Sequence, residues 1–252
     1  MMGFFDFLKG GSKKDGAGDG KTKKSSPAAK FAEAAGSKRA QAYDRQEAIN
    51  ELAKLGTADA VEALLRRFTF STDPSITDQE EKELAFEGIL KAGRESIEPV
   101  RAFVAKAESV SWPMRVMKEI LEPDEYVEEL LVWLERWDTE YAKFIDPKLQ
   151  ILEALGELTH PKIREATERF LEDVNDQAKF NAVVAVLAQN DAASIPALLS
   201  LLLEEESVRI RTKIANGMGE RGWSVPDDQR ESIRKVLPPE FSIDGSGFIK
   251  KR

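Results

Sequence analysis

His160 is the one side chain in this sequence that titrates near neutral pH, where it could act as a general base or a metal ligand. It precedes Pro161 in what reads as an inter-helix turn. With no cysteine in the chain, a ligand set around it would have to be completed by carboxylates alone. The sequence therefore predicts a plain turn residue at 160, and the lack of cysteine rules out a nucleophilic thiolate or a disulfide framework and fits a reducing cytosol. No P-loop, no GxGxxG after a strand, no HExxH and no GxSxG occurs. Asp and Glu number 45, so many pairs form a nominal acid/base dyad. Glu128 and Glu129, Glu204 to Glu206, and Asp78 to Glu83 read instead as solvated helix faces. No catalytic residue, no cofactor and no metal is expected. The chain reads as a non-enzyme.

The charges that do carry a pattern are cations. Arg45, Lys82, Arg115, Lys148, Lys179 and Arg211 recur at intervals of 37, 33, 33, 31 and 32 residues. Their chemistry would be ion pairing with an acid that ends the preceding helix, which pairs Asp173 with Lys179 and Glu204 with Arg211. Exposed pairs of this kind contribute about 0–1 kcal/mol each, so they set register more than stability.

The elements that position these cations repeat as well. Residues 148–173 run in step with 179–204: Leu155 matches Val186, Ile163 matches Ile195 and Phe170 matches Leu202. A third copy starts at Arg211. Self-similarity at 31–32 residues marks units that cannot each bury their own apolar face and therefore stack. The phrases IPALLSLLLEEESVRIR and ILEALGEL, with a proline early in a helix at Pro99 and Pro196, resemble HEAT repeats of the short bacterial, phycobilisome-lyase-like type. The resemblance implies an all-α, HEAT-like α-solenoid of about six helical pairs over residues 40–237. It also implies a scaffold or adaptor that binds a protein partner on the face lined by the helices beginning at the recurrent cations. Two enzyme classes share the architecture. A bilin-attaching lyase would use the aromatic stretch 126–144 as its pocket. A HEAT-like DNA glycosylase would use Trp112, Trp133, Trp137 and Asp138, a role that the charge distribution opposes.

Net charge is −8 for the chain. Residues 1–39 carry nine cations and four anions, giving +5, so the remainder is −13. An acidic body argues against nucleic acid, whose affinity is built from clustered Lys and Arg. The start, MMGFFDFLKGG, offers Phe4, Phe5 and Phe7 as a short aromatic plug followed by a Gly/Ser/Lys-rich stretch that reads as a disordered tether to about residue 38. Two readings remain open for residues 1–39. One is a solubilising leader; the other is a peripheral anchor or peptide ligand with weak, salt-sensitive contact to an anionic membrane.

Within the array, Gly56 and Gly93 read as helix stops, Thr57 as a cap, Thr77 with Glu80 as a capping box, and Pro123 as the end of a helix. Residues 124–144 are the most aromatic part of the chain. Val127, Leu130, Leu131 and Leu134 form a core stripe; Tyr126, Trp133 and Trp137 fall together on its edge. That edge is either the rest of a wide core face or an exposed anchor for a partner. After Pro238-Pro239, Phe241, Ile243, Phe248 and Ile249 flank an Asp244-Gly245 turn, and residues 238–252 read as a small hairpin that either caps the last helices or stays a free peptide.

Overall fold

Helices stop and start where backbone groups find substitutes for the next helical turn. Gly56 closes one helix and Gly222 another, each in the left-handed region at φ +60° and +62°. Pro123 opens a helix and ends none. Glu122 and Glu125 exchange capping bonds across it, and its missing N–H falls where no intrahelical bond is lost. The expected box at Thr77 and Glu80 is absent because its helix already begins at Ser75, with Pro74 as the preceding residue. Thr57 does precede a helix, although its side chain makes no capping bond.

The structure, a computed structural model, describes residues 26–252. Thirteen α-helices follow one another among them: α1 Ala29–Ala35, α2 Ala42–Leu55, α3 Ala58–Leu65, α4 Ser75–Leu90, α5 Ile97–Val104, α6 Ser111–Ile120, α7 Pro123–Leu134, α8 Asp146–Gly156, α9 Pro161–Glu168, α10 Asp176–Ala188, α11 Ile195–Glu204, α12 Val208–Arg221 and α13 Arg230–Val236. The even-numbered helices form one layer, in which α4 packs on both α2 and α6, and α10 on both α8 and α12. The odd-numbered helices form the second layer, in which α3 packs on α1 and α5, α7 on α9, and α11 on α13. This is an all-α solenoid of six pairs, α2/α3 through α12/α13, with α1 as an extra helix before the first.

One apolar core runs between the layers, from Leu52, Leu64 and Ile89 through Leu130 and Leu152 to Val186, Leu199 and Ile214. Within the even-numbered layer, the approach of neighbouring helices is set by small residues. An added Cβ at Gly217 on α12 would lie 2.4 Å from Leu187 Cδ1 on α10.

The tether assignment overreaches at its C-terminal side. Ala28 and Ala35 are buried, and α1 packs on α2 and α3. Four alanines in a seven-residue helix favour the helical state and permit a close approach to α2. The remainder of the tether assignment lies largely outside the described residues.

At the other end, β1 Phe241–Ile243 pairs antiparallel with β2 Ile249–Lys251, and Asp244 Oδ1 accepts from the amides of Ser246 and Phe248 across the turn. The hairpin is a cap. Phe241, Ile243 and Ile249 are buried, and β2 lies against α12 so closely that a Cβ on Gly219 would meet Ile249 O at 2.8 Å.

Candidate protein-binding face

The recurrent cations divide into groups with different tasks. Arg45, Lys179 and Arg211 are each the fourth residue of an even-numbered helix, and Lys148 is the third. Lys148 Nζ donates to Asp173 Oδ2 at 2.6 Å with both side chains wholly buried, and Lys179 Nζ donates to Glu205 Oε2 at 2.7 Å. The acid therefore belongs to the cation's own pair, and the expected pairs Asp173–Lys179 and Glu204–Arg211 do not form. The reason is local. Asp173 and Glu205 sit in the turn into the next even-numbered helix, where each also accepts from a backbone amide, Asn175 and Ser207. That turn faces back toward the cation already passed. Burial is the largest influence and lowers the Lys179 pKa, but Glu205 and Asp176 together outweigh it and hold the ammonium above its ordinary value.

The first pair inverts this plan. Lys82 lies eight residues into α4 and bonds Asp78, so it is out of phase with the other cations. Buried Glu81 receives both Arg45 and Arg67, and Arg67 also reaches Asp78 at 2.7 Å. Burial would raise the Asp78 carboxyl, yet Lys82 and Arg67 hold it at about 2. Arg211 has no acid in the matching place. Among the described residues nothing accepts from its buried Nε.

Tyr126 and Trp133 are core residues, at 6% and 1% exposure, which removes them as exposed anchors. Trp133 points inward because Glu129, one turn back and itself buried, accepts from its indole Nε1 at 2.7 Å. Arg101 on α5 neutralises Glu129, with Nε at 3.0 Å from each carboxylate oxygen. Burial pushes the Tyr126 phenol up to about 12, helped by the Glu157 charge. Trp137 is half-buried. It lines a cavity of about 390 Å³ with Val104, Phe144 and Pro147, beside the connection 135–145. Phe4, Phe5 and Phe7 lie outside the described residues.

Two sets of contacts on the outer side of the even-numbered layer lie outside what the single-repeat pattern predicts. Arg115 on α6 donates to both carboxylate oxygens of Glu83 on α4, at 3.1 and 3.2 Å. Its guanidinium lies 4.6 Å over the Phe86 ring and 4.3 Å over Trp112, which stacks at 5.0 Å on Phe68. Arg209 on α12 repeats the arrangement. It donates to Gln177 on α10 at 3.0 Å and lies 3.6 Å over Phe180. Glu83, Phe86 and Arg115 each sit 94 residues before Gln177, Phe180 and Arg209, which is three repeats. The signal was in the sequence as ELAF and PMRV matched by QAKF and SVRI, at a period longer than the single unit.

Both arginines are exposed and both phenylalanines half-buried, so each station shows solvent a flat guanidinium braced on a ring. Such stacking contributes about 0.5–1 kcal/mol at exposed sites and fixes the side chain in advance of any partner. Among the described residues no group of three His, Asp or Glu side chains is placed to hold a metal ion, and no helix is long and apolar enough to cross a membrane. Comparison with known proteins found no matching family model, no matching curated protein and no matching solved structure.

Proposed function

We propose that the protein is a non-enzymatic scaffold or adaptor of the HEAT-repeat type, which binds a protein partner on the outer side of the even-numbered layer. The observation that carries this reading is the pair of arginine stations, Arg115 on Phe86 and Arg209 on Phe180. Arginines and aromatics supply most of the energy in protein interfaces, and a braced guanidinium loses less side-chain entropy on contact. Neither station's outward atoms are needed to build the core, which makes recognition the more economical account of their recurrence.

The test is capture from the native cell at low salt by the intact chain and by Arg115→Ala/Arg209→Ala. Loss of a specific protein from the double variant, with an unchanged melting temperature, supports the reading. Equal capture by both sinks it. A visible absorbance band in the purified protein would favour the lyase-like alternative instead.

A further inference from the structure

Along α4, with one residue of α2 at its side, lies an open, shallow groove of about 660 Å³. Ile76 and Leu84 give it an apolar floor, Gln46 closes one side, and Glu80, Glu83 and Glu87 run along it. Ile76 is 70% exposed, and Tyr43, one turn before Gln46 on α2, is 74% exposed. The volume falls in the range of ligand-sized clefts, about 300–1,000 Å³. Three carboxylates beside exposed apolar carbon call for an occupant that is both apolar and cationic.

We propose that this groove binds the chain's own N-terminal segment, residues 4–9, in cis. Three observations carry it. The segment reads FFDFLK, so Phe4, Phe5, Phe7 and Leu8 match the apolar floor while Lys9 and the following Lys13 and Lys14 match the glutamates. Residues 1–25 hold six lysines and three aspartates, a net +3, so residues 26–252 carry −11 of the chain's −8 total. The third is reach. Residue 26 leads directly into α1, which packs on α2. The 16 residues from 10 to 25 can span at most about 55 Å, while adjacent helix axes lie only about 8–10 Å apart. A covalent tether of that length gives an effective concentration near the millimolar range, so even a weak contact is populated without a second molecule. The occupied groove includes Glu83, the acid that braces Arg115, and the segment would therefore sit beside the first arginine station. This inference concerns the tail alone and stands whether or not the stations bind a partner.

The chain contains no cysteine, which makes introduced pairs unambiguous reporters. Gly10→Cys with Gln79→Cys in the full-length protein should form an intramolecular disulfide about tenfold faster than Gly10→Cys with Glu153→Cys on α8, as expected for a local docked state. Adding Glu80→Lys and Glu87→Lys, both exposed, should erase the difference while leaving the helical spectrum intact. Equal rates for the two pairs would overturn the proposal, and so would a rate indifferent to the charge reversals. Crosslinks only between chains would assign the groove to a second copy. Sedimentation with phosphatidylserine vesicles that is unaffected by the groove substitutions, together with equal crosslinking rates, would assign the segment to a membrane surface.

Discussion

Lys148 and Asp173, on opposite sides of the same helical pair, meet as an ion pair from which water is wholly excluded, Nζ to Oδ2 at 2.6 Å, with Asp138 O taking a second ammonium proton at 3.0 Å. Removing one partner strands a charge in the core. Asp173→Leu and Lys148→Met are each expected to cost about 3–5 kcal/mol, and Lys148→Met/Asp173→Leu less than the two single changes together. Urea unfolding of the three variants, read as a double-mutant cycle, checks this.

Trp133 fills the core and is tied to Glu129. Trp133→Ala should cost about 3–5 kcal/mol, whereas Trp133→Phe keeps most of the volume and should cost about 1–3 kcal/mol for the lost indole bond to a buried carboxylate. Tyr126 offers an independent check. Of the three tyrosines, it should ionise only at about pH 12, visible as a late step in alkaline ultraviolet titration.

Asp78 predicts an acid-labile junction between the first two pairs. Its folded pKa of about 2 lies below the ordinary 3.8, so its contribution is fully present above pH 4 and is lost as the pH falls from about 4 to about 2. The size is about 2 kcal/mol. The stability gap between the native protein and Asp78→Asn, measured in urea at pH 5 and again at pH 2.5, should narrow by most of that amount.

Gly219 predicts a separable cap. Its absent Cβ makes room for Ile249 O, a backbone atom that cannot rotate away. Gly219→Ala should cost about 1–3 kcal/mol through the hairpin, raising hydrogen exchange at residues 241–251 well before that of α10. Uniform loosening of the whole array would contradict this placement.

The array was legible because its information is local and repeated. Apolar spacing, Gly stops at 56 and 93, and the 31–32-residue step all act within one or two helices. The ion pairs are not legible because sequence order does not show which way a turn faces: Asp173 looks back at Lys148 and away from Lys179. Lys82 fits the series by type alone, and only the start of α4 at Ser75 reveals that Asp78 holds the position. Trp133 remained undecided on the helical wheel since its placement depends on Glu129 and Arg101, the latter on another helix. The arginine stations are hard to read from sequence because three repeats separate each residue from its counterpart.

That separation acts as a ruler. From the α4/α6 junction to the α10/α12 junction the chain takes three helix-to-helix steps, at least about 25–30 Å at 8–10 Å per close-packed step. A partner gripping both guanidiniums would need anchor groups that far apart, which an extended peptide reaches in about eight residues and a helix in about eighteen. Shorter peptides would engage one station at a time and gain nothing from the second, so affinity should rise in a step with ligand length instead of growing smoothly.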